Sequence, residues 1–162
     1  MSDSTDIATL RRLLQQCRRI AVVGVSADWN RPSHFVAKYL NEHGYTMIPV
    51  NPKYREVLGR TCYPDLAAAN KSQGPIDMVD CFRRAADMEP IARDAVAIGA
   101  HCLWMQLGVV NEAAAALART AGLEVVMDRC VKIEHARLFG GLGWAGVNTG
   151  IVSSRRPRQL PF

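Results

Sequence analysis

The stretch Ile20-Ala21-Val22-Val23-Gly24-Val25-Ser26-Ala27-Asp28-Trp29-Asn30-Arg31-Pro32-Ser33 decides the fold. A β-branched apolar run breaks at Gly24, passes through a polar loop and meets Pro32-Ser33, where an amphipathic segment begins. The pattern reads as strand, loop and helix N-terminus. Backbone N–H groups in a first helical turn have no intrahelical acceptor and lie at the positive end of the helix dipole, so such a junction is a ready anion site. A nucleotide-like ligand is the first implication. The dinucleotide fingerprint G-x-G-x-x-G is incomplete, with Gly24 in first place but Ser26 in the second and Trp29 in the third. Without the later glycines the loop has to bulge, and Arg31 and Ser33 offer side-chain donors in their stead.

Around this stretch lie 162 residues, 49% of them apolar, enough for one α/β domain with a full core. Twenty basic against fifteen acidic residues give a net charge of +5, which suits a polyanionic ligand. The arginine pairs Arg11-Arg12 and Arg155-Arg156 sit on the first helix and in the tail. No dense basic stripe with interleaved aromatics appears, so nucleic acid is not an expected partner. No apolar run is long enough to span a bilayer, and Met1-Ser2-Asp3-Ser4-Thr5-Asp6 is polar and acidic where a secretory signal is basic and then apolar. A cytoplasmic location is expected. Cys17, Cys62, Cys81, Cys102 and Cys130 are odd in number and lack C-x-x-C spacing, which points to reduced thiols rather than a disulfide framework or a zinc site.

Asp6 is placed to cap a first helix to about Arg18, with Ile7, Leu10, Leu13, Leu14 and Cys17 forming an apolar stripe. Ser33 is expected to cap the next helix, with Phe35, Val36, Tyr39 and Leu40 facing the core and Gly44 ending it. The strand Thr46-Met47-Ile48-Pro49-Val50 contains a proline that removes one ladder donor. Pro64-Asp65 opens a short Ala-rich helix. Then follow a strand over Ile76 to Phe82, a helix from about Ala85 to Ile98 and a strand over His101 to Gln106. An Asn111-capped helix to Thr120 and a strand over Leu123 to Met127 complete the series. This alternation predicts an α/β fold with a doubly wound, mostly parallel sheet and helices on both faces. Residues 1–150 are read as one domain, with 1–18 as a leading helix. A glycine-rich arm begins at Gly140, and 151–162 is expected to be a flexible tail.

In an open parallel sheet the ligand crevice lies beyond the carboxyl ends of the strands, where strand order reverses. The strand ends nominate Gly24 to Ser33, Asn51 to Arg55, Phe82-Arg83, Gln106 to Asn111 and Asp128-Arg129-Cys130. An NAD-binding unit ends its second strand with an acid for the ribose hydroxyls, whereas this chain has Asn51-Pro52-Lys53-Tyr54-Arg55. Two cations in place of an acid favour a phosphorylated ribose, as in coenzyme A or NADP, although Lys53 is equally readable as a solvated loop lysine. Phe82-Arg83 and Leu107-Gly108 can flank a ligand arm, while Trp104 reads better as core. Cys130 lacks a neighbouring histidine and reads as a structural thiol, with Arg129 acting at most to lower its pKa. Glu134-His135 does not converge on a metal site. Asp77, Asp80 and Asp128 lie on or near strand ends without an assignable role.

Taken together, Ala21-Val22-Val23-Gly24-Val25-Ser26, Arg31-Pro32-Ser33, Val50-Asn51-Pro52-Lys53-Tyr54, Val79-Asp80-Cys81-Phe82-Arg83, Trp104-Met105-Gln106-Leu107-Gly108-Val109, Val126-Met127-Asp128-Arg129-Cys130 and Glu134-His135 resemble the small single-domain CoA-binding proteins. These are similar to the N-terminal domain of the succinyl-CoA synthetase α subunit. The pieces cover most of Arg19 to Gly150 in the family's order. The resemblance implies a Rossmann-like domain binding coenzyme A or an acyl-CoA, with phosphates on the Gly24 to Ser33 loop and the 3′-phosphate ribose near Lys53. It implies cofactor-binding positions at Gly24, Val25, Ser26, Ala27, Arg31, Pro32, Ser33, Asn51, Pro52, Lys53, Tyr54, Phe82, Arg83, Gln106, Leu107, Gly108, Arg129 and Cys130. The ligase's phosphohistidine-bearing domains have no counterpart, and Asp28-Trp29-Asn30-Arg31 replaces the synthetase's glycine-rich loop, so ligase activity is not carried over. No residue is assigned a catalytic or metal-binding role. The expected function is a non-catalytic carrier, sensor or partner module for a small-molecule CoA ligand, with any protein partner or homo-oligomer unspecified. The alternatives are an NADP-dependent oxidoreductase and an interaction module whose nucleotide crevice is unused.

Overall fold

Asp6, Asp65 and Asn111 each place a side-chain oxygen on the backbone amide three residues ahead, at Thr9, Ala68 and Ala114, and each opens a helix. These are α1 (Ile7–Gln16), α3 (Leu66–Gln73) and α5 (Glu112–Thr120). Such caps satisfy amides that the helix itself leaves unpaired. Asn111 also donates from Nδ2 to the Ala85 carbonyl at 2.8 Å, tying the start of α5 to the turn before α4 (Met88–Ala97). Asn111→Ala is therefore expected to lower stability by about 1–2 kcal/mol, read as a shift in the urea midpoint with an unchanged slope.

The computed structural model describes residues 6–140. The five residues before Asp6, the arm beyond Gly140 and the expected flexible tail lie outside the described residues. Between these limits five strands form one parallel sheet in the order β2-β1-β5-β6-β7. They are β1 (Arg19–Val23), β2 (Thr46–Val50), β5 (Met78–Cys81), β6 (Cys102–Met105) and β7 (Glu124–Val126). Their side chains are buried almost throughout, the signature of a parallel sheet covered on both faces. One face carries α1, α2 (Pro32–Glu42) and α6 (Val131–Phe139), packed over Ile20, Val22, Met78 and Trp104. The other carries α3, α4 and α5 over Ala21, Val23, Val79 and Leu103. The chain thus has the expected Rossmann-like α/β architecture.

Three local expectations are corrected. Arg31, not Ser33, holds the N-cap position of α2, and it makes no side-chain cap. Pro32 at the first helical position supplies the preset φ and lacks the N–H that would otherwise be orphaned. Phe35 is 46% exposed rather than in the core, because the buried stripe of α2 runs through Ser33, Val36, Ala37 and Leu40. Ile7, at the first turn of α1, is likewise exposed while Leu10, Leu13, Leu14 and Cys17 are buried. The strand proline, Pro49, falls on the edge strand β2, where a lost donor is tolerated. Unforeseen in the sequence, a two-residue hairpin of β3 (Glu56–Val57) and β4 (Arg60–Thr61) brings Tyr63 back to cover that edge. The Tyr63 amide donates to the Pro49 carbonyl, and Asn51 donates to Tyr63.

Candidate functional site

Strand order reverses between β1 and β5, since the chain leaves β1 for β2 on one side and later fills β5, β6 and β7 on the other. The carboxyl ends of these strands bring together the loop after Gly24, the segment after Val50 and Phe82-Arg83. Gly24 sits at φ +82° and donates to the Val50 carbonyl at 2.9 Å. Phe82 donates to the Val23 carbonyl at 2.8 Å. A Cβ on Gly24 would stand 2.6 Å from the Phe82 carbonyl oxygen and 3.1 Å from Arg83 Nε. The glycine is required by approach of one backbone to another as well as by its dihedral.

The loop is built by its own polar groups. The Ser33 hydroxyl, buried, accepts from the Ser26 amide at 3.0 Å, and the Ser26 hydroxyl accepts from the Asp28 amide at 3.0 Å. Asp28 in turn accepts from the amides of Asn30 and Arg31, and His34 Nδ1 meets the Ser26 carbonyl at 3.0 Å. This leaves Trp29, 69% exposed, at the tip. Asn51 links the second strand end to the first: its Nδ2 donates to the Val25 carbonyl and its Oδ1 accepts from the Lys53 amide, each at 2.9 Å. Tyr54 leans over the same loop. Its phenol is drawn below the ordinary tyrosine range by the Ser26 hydroxyl first and by the Ala27 amide, with Lys53 also favouring the anion. Lys53 Nζ is 5.5 Å from the Tyr54 ring centroid.

Beside this loop, a crevice of ≈ 180 Å³ opens on the α3–α4 side at the ends of β1 and β2, walled by Val23, Val50, Pro52, Leu66, Arg83 and Ile91. A larger hollow of ≈ 340 Å³, between Arg12, Cys17, Asp77, His101 and Glu124, lies at the opposite end of the sheet. Volume alone does not locate a phosphate site, because the donors and the strand reversal are at the carboxyl end.

On the far side of the reversal the nominated residues are held differently. Gln106 is buried and donates from Nε2 to Asp80 Oδ1. Leu107 is exposed at the rim, and the Gly108 amide donates to Asp128 Oδ1 at 2.7 Å. Trp104 is fully buried with its indole N–H on the Arg129 carbonyl at 2.8 Å, in keeping with the core reading. The Arg129 guanidinium reaches Glu134 at 3.2 Å, and Arg137 takes the other Glu134 oxygen at 2.5 Å. Glu134 is wholly buried, so its two arginine partners compensate a charge removed from water. Cys130 heads α6, and burial pushes its thiol up while the Ile133 and Lys132 amides pull partly back. Arg129, expected to act at most to lower that thiol, is turned to Glu134, and the buried Cys130 agrees with a structural thiol.

The rim therefore brings together Gly24, Ser26, Ala27, Pro52, Lys53, Tyr54, Phe82 and Arg83, while Val25, expected among the ligand contacts, is fully buried in the core, and Ser33, Asn51, Gln106 and Arg129 are held by bonds within the fold. Sequence reasoning missed the roles of Asp80 and Glu134, the buried acids that hold Gln106 and Arg129. It also missed the contact of Tyr39 with His135, whose Nδ1 lies 2.7 Å from the phenol oxygen across α2 and α6. No helix among the described residues is long and apolar enough to cross a membrane.

Comparison with known proteins agrees with this fold. The uncharacterized protein YneT of Bacillus subtilis (strain 168) is 40% identical over 129 residues, which are 80% of this chain and 93% of that protein. A hypothetical protein from Pyrococcus horikoshii OT3 superposes with a TM-score of 0.81 at 39% identity, covering 86% of this chain and 96% of its own. The dinucleotide forming acetyl-coenzyme A synthetase 1 of Ca. Korarchaeum cryptofilum shares the fold at 20% identity and a TM-score of 0.57, over 67% of this chain and 25% of that one. The family described as CoA binding domain matches residues 18–136. The chain belongs to the CoA binding domain family.

Proposed function

We propose that the chain binds coenzyme A or a short acyl-CoA at the carboxyl edge of the sheet and acts in the cytoplasm as a non-catalytic carrier, sensor or partner module. The pyrophosphate rests on the loop from Gly24 to Ser33, the 3′-phosphate of the ribose meets Lys53, and the pantetheine arm passes Phe82-Arg83 toward Leu107-Gly108. One observation carries the reading. At the reversal of strand order Gly24, at φ +82°, turns β1 into the loop that runs to the N-terminus of α2, the arrangement that offers the positive end of a helix to a phosphate. The segment that follows the second strand carries Lys53 and Arg55 with no acid between Val50 and Arg55, which supports a phosphorylated ribose over a free diol.

Calorimetric titration with CoA, 3′-dephospho-CoA, NADPH and NADH at fixed salt tests this. CoA is expected to saturate the protein and to lose about 1–3 kcal/mol without its 3′-phosphate, the range for a charge-assisted contact. Lys53→Ala should bring CoA down to the affinity of 3′-dephospho-CoA and leave the latter unchanged. Preference for NADPH would replace the reading with an oxidoreductase, and failure of all four ligands to bind would leave an interaction module.

A further inference from the structure

Asp80 stands at the end of the central strand, next to the reversal of strand order, yet touches no solvent. Its Oδ1 accepts from Gln106 Nε2, while its Oδ2 has no hydrogen-bond partner among the described residues. An orphaned oxygen in a fully buried carboxyl is costly and rare in folded proteins. The neighbouring positions in register are Val22 on β1 and Trp104 on β6, neither of which titrates or reaches it with a donor. An ionised carboxylate can only accept. It therefore fixes the Gln106 amide with its NH2 inward and its carbonyl oxygen turned away. A protonated carboxyl can donate, and it permits the opposite orientation.

We propose that Asp80 is a positioning residue for the ligand arm: as a carboxylate it holds Gln106 so that the glutamine carbonyl accepts from an amide N–H of the bound pantetheine. The inference rests on the CoA reading above. A secondary amide offers one such donor, whereas a nucleotide without the arm offers none there, so Asp80 acts on the arm and not on the phosphates.

The proton on Asp80 then sets the polarity that Gln106 presents. Burial raises the carboxyl to about 7 against the partial pull of Gln106, and these two influences are the ones acting on it. The titratable groups that sense its charge are Cys81 on its own strand, Cys102 on β6 and Cys130 at the head of α6, all with thiols that burial pushes up. On α6, Lys132 acts on Cys130, and Glu134 and Arg137 are joined in ion pairs with each other and with Arg129, which precedes the helix.

The test measures the affinities of CoA and of adenosine 3′,5′-bisphosphate, which lacks the arm, at pH values on either side of about 7. Ionisation of the 3′-phosphate is common to both probes, and the second ionisation of the bisphosphate's 5′-phosphate is the same for both proteins, so wild type against Asp80→Asn isolates the arm. Relative to Asp80→Asn, the wild-type preference for CoA should rise toward high pH by about two- to tenfold, the range for one hydrogen bond. In Asp80→Asn, which cannot ionise, the ratio should follow the 5′-phosphate alone. A wild-type ratio whose pH dependence equals that of Asp80→Asn would overturn the positioning role while leaving CoA binding intact. Absence of wild-type CoA binding at any pH would instead remove the functional reading and this inference with it.

Discussion

Gly24→Ala is expected to destabilise the chain by about 2–5 kcal/mol and to abolish CoA binding in whatever fraction remains folded. Two separate effects contribute. At φ +82° an L-residue is strained by about 1–2 kcal/mol. The added Cβ would also meet the Phe82 carbonyl at 2.6 Å, and backbone just past the central strand, tied to Val23 by the Phe82 amide, cannot swing aside as a side-chain tip can. Relief requires parting β1 from β5, with an overpacking cost of about 1–3 kcal/mol and displacement of the phosphate loop. Gly122 provides the control, since it has φ +94° with nothing within 4 Å of an added Cβ. Gly122→Ala should therefore show only the dihedral strain and retain CoA affinity. Urea unfolding of both variants separates the two effects. Equal losses in the two variants would show that the approach of Gly24 to Phe82 is not a constraint.

That contact also shows how far the sequence could be read. Strand, glycine and helix start were legible in residues 20–33 because period and breaker residues are local signals. Asp6, Asp65 and Asn111 were legible for the same reason, since a cap acts on an amide three residues away. Ser33 was misplaced because two residue types suited to a helix start, Pro32 and Ser33, are adjacent. The proline took the first helical position, and the serine hydroxyl turned to the Ser26 amide. Glu134 and Asp80 were visible as acids, but their partners were not. Glu134 is bound to residues three and five positions away, on and before a helix whose buried face the sequence did not declare. Asp80 meets Gln106 across the sheet at a separation of 26 residues. Only the strand register places that pair together, and no periodicity encodes register between strands.

Asp80→Asn is expected to stabilise the folded chain at alkaline pH and to lose that advantage in acid. The folded carboxyl titrates near 7 instead of 3.8, so between these values the folded state holds a proton that the unfolded state has released. Wild-type stability from this group consequently falls as pH rises from about 4, and the loss is complete once pH passes the folded pKa. The shift corresponds to a penalty on the order of 4 kcal/mol above that pH, each pKa unit being about 1.4 kcal/mol. Asparagine keeps an oxygen for the Gln106 amide and never ionises, which removes most of the penalty. Its NH2 replaces the orphaned oxygen with a buried donor, a loss that does not vary with pH. The variant should therefore exceed the wild type in urea midpoint at about pH 8.5 and approach or fall below it at about pH 4.5, on either side of the titration. A gap between the two proteins that is the same at both pH values would rule out a titrating Asp80. The predicted gain in stability and the predicted loss of pH-dependent arm recognition belong to one substitution. A carboxyl that weakens the fold at working pH while orienting the residue above it is the trade-off expected of a group kept for binding rather than for folding.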